Sequence, residues 1–420
     1  MEQIRLSVSS KKFQVAIIAP TCFYYQVDLF RELDSHPKLD LQVYFCSEEA
    51  LSGGDVRRQF MTDQTWGDDE SILKGYEYKF LKNYSPAPSY LKWPFGLINF
   101  GIWAELRKNK PDAVILMSWM NPTWWLAILA CSIYKIPYFY LTDSNVQTEP
   151  TKPRLISWAK HLMLGKILFK RTSGFLCASE TNKQMYKYYG VPEEKLIPFA
   201  FSWGYQRLRD VASEYNAKKS LLRKELGIPE NDFVFLYCGR LSHEKSPELL
   251  LKAFQSIDRK KKSLIYVGDG VLRSSMEDCV KESGVESVHF FGFQDRLQIP
   301  KYYAVADVLV LPSKREATGG VVNEAMAFGL PVIVSDQVGF GVDFVVHGAN
   351  GYIFPVGNSS DLGKYMEHIS EQTDEVIQEM GAKSQKVMDD WLSRDLPENL
   401  VQYLEQTRSK AGRKTGQAGQ

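Results

Sequence analysis

Residues 232–270, DFVFLYCGRLSHEKSPELLLKAFQSIDRKKKSLIYVGDG, run from an apolar stretch through a charged turn and a helical segment opening at Pro247 to a second apolar stretch ending in glycines. Both apolar runs are short and continuous rather than alternating, the pattern of a parallel strand buried on both faces. Strand, helix and strand in this order make a βαβ unit. Outward from it, SVHFFGF (287–293), ADVLVLPS (306–313) and LPVIVSD (330–336) alternate with helices opening near Leu272, Ile299 and Val322. The first half repeats the alternation with FQVAIIAP (13–20), LDLQVYFC (39–46), DAVILMS (112–118), PYFYLTD (137–143), GFLCAS (174–179) and a last strand in EEKLIPFA (193–200). The chain therefore reads as α/β, with two Rossmann-like, doubly wound parallel-sheet domains spanning 1–202 and 203–392. A helix at about 393–407 is expected to pack back on the first domain, and the tail 408–420, RSKAGRKTGQAGQ, to be disordered. Ligands of open α/β sheets sit at the carboxyl ends of the strands, so two facing domains imply a cleft between them.

Composition narrows the partners. The 420 residues carry 51 basic and 50 acidic side chains, and a net charge of +1 argues against nucleic acid as partner. Hydrophobic residues at 44% and charged residues at 24% are ordinary globular values. Cys22, Cys46, Cys131, Cys177, Cys238 and Cys279 form no CxxC pair, and most lie in apolar stretches, as reduced buried thiols do. No Cys/His cluster offers a metal site, and the N-terminus lacks the apolar core of a signal peptide, so a cytoplasmic protein without resident metal is expected. Residues 113–134, AVILMSWMNPTWWLAILACSIY, hold no charge and are long enough to span a bilayer. Asn121-Pro122 interrupts them, and the reading is a buried strand, a turn, and a helix starting at Pro122.

The chemistry concentrates in KREATGGVVNEAMAFGLPVIVSD, 314–336, where Glu316 and Glu324 stand eight positions apart around Gly319-Gly320. A glycine turn opening a helix presents backbone amides and the positive dipole end to phosphate or sugar oxygens. Glu324 is expected in the first turn of that helix.

This segment resembles the E-x7-E motif of the family 4 retaining glycosyltransferases, which have the two-domain GT-B fold. FLYCGRLSHEKSPELLLKAF (235–254) resembles that family's phosphate-binding strand and helix, and YVGDGVLRSSMED (266–278) its second glycine turn. FFGFQDRLQIPKYYAVADVLVLPS (290–313) resembles its base-side segment, and GVDFVVHGANGYIFPVGNSSDL (341–362) the stretch after the motif. Asn323 in NEAMAFGLPVIVSDQVGFGVD, with YQ-x-x-LFREL near the N-terminus, is similar to a bacterial subgroup that builds polysaccharides. The resemblance implies a nucleoside-diphosphate sugar donor, UDP or GDP, a glycan or lipid-linked acceptor, and no cofactor or metal. It implies that Arg240 and Lys245 grip the donor diphosphate, that Glu316 attends the transferred sugar, and that Glu324 binds ribose. Gly268, Gly270, Phe293, Gly319, Gly320 and Val321 complete the implied donor site. Two features depart from the family: Ala317-Thr318 replaces an expected Gly-Phe, and no glycine-rich loop follows the first strand. The absent GxGxxG also counts against a dehydrogenase. An epimerase of the same architecture and a non-catalytic binding module are the alternatives, the latter disfavoured because Arg240, Lys245, Glu316 and Glu324 are all present.

Asp143, at the end of PYFYLTD, could orient or deprotonate an acceptor hydroxyl, or simply cap its own turn. His243 and His347 read as surface groups. Between Pro150 and Ser179 no acid occurs, while Lys152, Arg154, Lys160, Lys166, Lys170 and Arg171 do, five of them on one arc opposite Leu155, Trp158, Leu162 and Leu168. Upstream, Tyr90, Trp93, Phe95, Phe100 and Trp103 interleave with lysines. A peripheral site on an anionic membrane and a core-facing helix with a solvated basic face both fit this pattern.

Overall fold

The computed structural model describes residues 12–52, 70–142, 144–145, 154–200 and 204–416. The first sheet contains β1 (Phe13–Ala19), β2 (Leu39–Phe45), β3 (Glu77–Phe80), β4 (Ala113–Leu116), β5 (Tyr138–Leu141), β6 (Gly174–Cys177) and β7 (Leu196–Pro198). Its order is β3-β2-β1-β4-β5-β6-β7, with every pairing parallel. The second contains β8 (Phe233–Cys238), β9 (Lys262–Val267), β10 (Val288–Phe290), β11 (Val308–Leu311), β12 (Val332–Ser335) and β13 (Gly351–Phe354), in the order β10-β9-β8-β11-β12-β13. The order reverses beside β1 and beside β8, and in such sheets a crevice opens at the reversal.

Burial explains the continuous apolar runs. In β1, Val15 and Ile17 pack into one core, while Ala16 and Ile18 pack into a second core on the opposite face of the sheet. Successive side chains of a strand point to opposite faces, so a sheet covered on both sides needs apolar residues at every position. Two strands escape the sequence reading. β3, EYKF, is a largely exposed edge strand with no apolar run to betray it, and β13, GYIF, is short and opens on a glycine. Residues 113–134 divide as expected into β4 and helix Pro122–Tyr134, with Pro122 in the first turn and Trp124 fully buried. Among the described residues no helix is long and apolar enough to cross a membrane. Five cysteines are buried free thiols and Cys279 is exposed.

The chain crosses between the domains twice, and the two crossings pair, with Ala200 N donating to Arg394 O at 3.1 Å. The last helix, Leu396–Gly416, lies on the first domain. Tyr403 packs edge-on against Phe139 and donates from its hydroxyl to Ser173 O, and Arg408 reaches Asp112 at 3.0 Å. Residues 408–416 are thus helical where the sequence reads as a disordered tail; the Arg408 contacts with Asp112 and with the Phe13 ring secure the start of that extension.

The basic amphipathic segment is helical over Arg154–His161 and continues as a wider π-type turn over Leu162–Leu168. Its apolar side faces the core only in part: Leu155, Trp158 and Leu162 are exposed, whereas Leu168, with Leu164, is buried.

Candidate active site

The loops that follow β8, β9, β11 and β12 meet at the carboxyl edge of the second sheet. Close backbone approach makes this possible. A Cβ at Gly268 would lie 2.0 Å from Gly239 O, and one at Gly270 would lie 2.3 Å from Leu241 O. The two loops are stitched by Gly239 N donating to Val267 O, Leu241 N to Asp269 O, and Leu272 N to Leu241 O. Gly268 and Gly270 are therefore required by packing, whatever they also offer a ligand.

Arg240 leaves the end of β8 with its carbonyl held by the hydroxyl of fully buried Tyr237 at 2.7 Å. The turn that follows places Glu244 O against the amides of Lys314 and Arg315, at 2.7 and 3.3 Å, which ties the β8 loop to the β11 loop. That tie brings Lys245 onto Glu316. Nζ meets Oε2 in an ion pair whose side chains are 16% and 12% exposed. Burial, then the neighbouring Arg240 cation, push the Lys245 ammonium down to about 7, with Glu244 opposing. The Glu316 carboxylate also favours the charged lysine. Two cations thus converge beside one carboxylate, the electrostatics suited to an incoming polyanion.

Glu316 is fixed by its backbone, its amide donating to Gln337 O and its carbonyl accepting from Gly339 N at 3.1 Å. Gly319 then turns the chain at φ +70, the left-handed region, as N-cap of helix Gly320–Ala327. A Cβ at Gly319 would also fall 2.8 Å from Val338 Cγ1. The amides of Gly320 and Val321 open this helix beside Glu316.

Glu324 corrects the sequence reading. It is the fifth residue of the helix, in the second turn rather than the first, because the helix begins at Gly320, two residues before the expected start near Val322. Its carboxylate accepts the hydroxyl proton of Tyr303 at 2.6 Å. Burial raises its pKa above the usual carboxylate range, with Tyr303, Arg207 and Arg296 drawing it back. Phe293 stands exposed just past β10. His243 is exposed with only a loose approach to Glu248, while His347 accepts a hydrogen bond from Ile353 N and packs against Tyr352 and Tyr365. Asp143 and Lys152 lie outside the described residues.

Three contacts from the first domain close on this assembly, and the sequence did not announce them. Buried Asn145 donates from Nδ2 to Ala317 O at 2.6 Å, beside Gly339, where a Cβ would lie 2.3 Å from that nitrogen. Thr181 Oγ1 donates to Gly339 O at 3.3 Å, and Glu180 N donates to Asp343 Oδ2 at 2.6 Å. Burial pushes the Asp343 carboxyl up to about 6 despite the amides of Glu180 and Thr181. Tyr303 was equally hidden, since IPKYYAV reads as an ordinary core helix. Only the adjacency of Asn145 to the strand end at 137–143 was a usable signal.

Residues 218–387 match the model of the family described as glycosyl transferases group 1. A lipopolysaccharide 1,2-N-acetylglucosaminetransferase of Salmonella typhimurium is 36% identical over 152 residues, covering 33% of this chain and 39% of that enzyme. The chain matches less than two thirds of the length of the curated relatives it resembles. The crystal structure of HepE from Anabaena in complex with UDP is similar with a TM-score of 0.68 at 17% identity, covering 96% of this chain and 99% of that one. A glycosyltransferase from Rickettsia africae gives a TM-score of 0.70 at 16% identity, covering 94% and 98%. The fold shared across both domains is GT-B.

Proposed function

We propose that this chain is a retaining glycosyltransferase, moving a sugar from a nucleoside diphosphate to a hydroxyl of a glycan or lipid-linked acceptor in bacterial polysaccharide or glycolipid synthesis. The observation that carries the reading is the convergence of Arg240 and Lys245 with Glu316 at the helix opened by Gly319 and Gly320. Uridine diphosphate is the leaving group we favour, supported by the UDP bound in the similar HepE structure.

In this reading the bond from the anomeric carbon to the diphosphate oxygen breaks while the acceptor oxygen attacks the same face. The acceptor proton passes to the departing diphosphate oxygen. Charge builds on the diphosphate, and Arg240, Lys245 and the Gly320 and Val321 amides are the groups that stabilise it, with no divalent metal required. Glu316 orients the reacting sugar, and Glu324, steadied by Tyr303, accepts from ribose hydroxyls. Asp143 belongs to the acceptor side. The five buried thiols support a reducing, cytoplasmic compartment.

The test is turnover of nucleotide sugars with sugar acceptors, in the presence of a chelator, with the anomeric configuration of the product read by NMR. Arg240→Ala and Lys245→Ala should each cost about 3 kcal/mol of transition-state stabilisation, roughly a hundredfold in rate, while the protein stays folded. Near-parental turnover in both variants, or an inverted product, would overturn the assignment.

A further inference from the structure

The outward surface of the first domain exposes several large apolar side chains. On the segment 154–168, Leu155 is 74%, Trp158 63% and Ile167 65% exposed. Trp93 and Phe95 are similarly exposed upstream, and Leu129 and Ile133 on helix Pro122–Tyr134. The groups on 154–168 and on helix Pro122–Tyr134 belong to one layer. Helices Gly101–Asn109, Pro122–Tyr134 and the 154–168 segment contribute to the core on the same face of the first sheet. Side chains tie them laterally: Lys160 Nζ sits 5.0 Å above the Trp119 ring, Trp125 Nε1 donates to Trp119 O, and Trp103 packs on Tyr134.

Charge chooses the occupant. Lys135, Lys166, Lys170 and Arg171 are exposed on this layer, and 154–179 contains no acidic residue. A second copy of the chain would set lysines against lysines. An acidic protein surface would satisfy the cations but not the extended indole and aliphatic rim. A lipid bilayer satisfies both, since acyl chains accept the apolar side chains, interfacial tryptophans sit at headgroup depth and anionic headgroups meet the cations.

We propose that this face of the first domain docks on an anionic bilayer. The helical segment lies in the interface plane with Leu155, Trp158 and Ile167 inserted and Lys166, Lys170 and Arg171 at the phosphates. The inference does not depend on the transferase reading, because it is tested without donor or acceptor.

The experiment is co-sedimentation of the full chain with phosphatidylcholine vesicles, with and without phosphatidylglycerol, across a salt series. Binding is expected only with phosphatidylglycerol and is expected to be released by salt, as a screened attraction requires. Trp158→Glu with Ile167→Glu, and separately Lys166→Glu with Lys170→Glu, should each lower the fraction bound at least about tenfold without moving the thermal midpoint, since all four side chains are exposed. Equal recovery with both vesicle types, recovery with neither, or unchanged binding by the charge variant would overturn the proposal. So would a dimer in solution that the Trp158→Glu, Ile167→Glu variant dissociates, since a second copy would then cover the face.

Discussion

Lys245 gives the sharpest test of the site, through pH. Its ammonium is pushed from 10.5 to about 7, first by burial and then by Arg240. The unfolded chain carries this lysine charged throughout the neutral range, whereas in the folded, empty site burial and Arg240 favour its neutral form as pH rises through about 7. A diphosphate needs the cation, so donor affinity follows the protonated fraction and falls as pH rises through about 7. Between about pH 6 and pH 8.5 that fraction drops about 30-fold, so affinity should weaken by as much as about 2 kcal/mol. Isothermal titration with UDP-glucose is the assay, because its diphosphate is esterified at both ends and keeps a constant charge. Free UDP would blur the result, since a terminal phosphate titrates at about 6. Lys245→Arg should flatten the profile, because a guanidinium stays charged. Glu316→Gln removes a carboxylate that favours the ammonium and should shift the fall to lower pH. A flat profile in the parent protein, or the same slope in Lys245→Arg, would refute the reasoning.

Tyr303→Phe removes the hydroxyl that Glu324 accepts at 2.6 Å, a charge-assisted bond contributing about 1.5–3 kcal/mol; donor affinity measured by titration should drop tenfold or more with the fold intact. Gly339→Ala would put a methyl 2.1 Å from Ala317 O and 2.3 Å from Asn145 Nδ2. It should therefore loosen the domain contact, seen as a larger radius of gyration by solution scattering and a loss in kcat/KM; parental values of both would remove Asn145 as a link between the domains. Asp343, raised from 3.8 to about 6, is held neutral more readily in the folded protein, so its site is most stabilising below pH 4 and loses about 3 kcal/mol as pH rises through about 6. Asp343→Asn should accordingly raise the thermal midpoint at pH 8 and leave it unchanged near pH 4, and the opposite ordering would show that the ionised carboxylate stabilises the contact.

What the sequence determined by itself is what short-range chemistry encodes. Runs such as VAIIA, FVFLYC and VLVL specify parallel strands because a strand buried on both faces tolerates no polar position, and so the two-sheet architecture was readable without coordinates. The turn at Gly319 and its helix were readable for the same reason, since a left-handed residue followed by a helical run is a local event. Where local signals were weak the reading failed: the polar edge strand β3 lacked an apolar run, and the start of the helix set Glu324 one turn deeper than expected. Tertiary structure alone decided the rest. Lys245 meets Glu316 only because Glu244 O ties two loops from different strands, and Asn145 reaches Ala317 only because the domains close. The amphipathic pattern of 154–168 is identical whether its apolar side faces a core or a bilayer. Periodicity records that a face is apolar, but what covers that face depends on neighbours distant in the chain, and here the sheet is already covered by Leu164, Leu168 and the adjoining helices, leaving Trp158 outside.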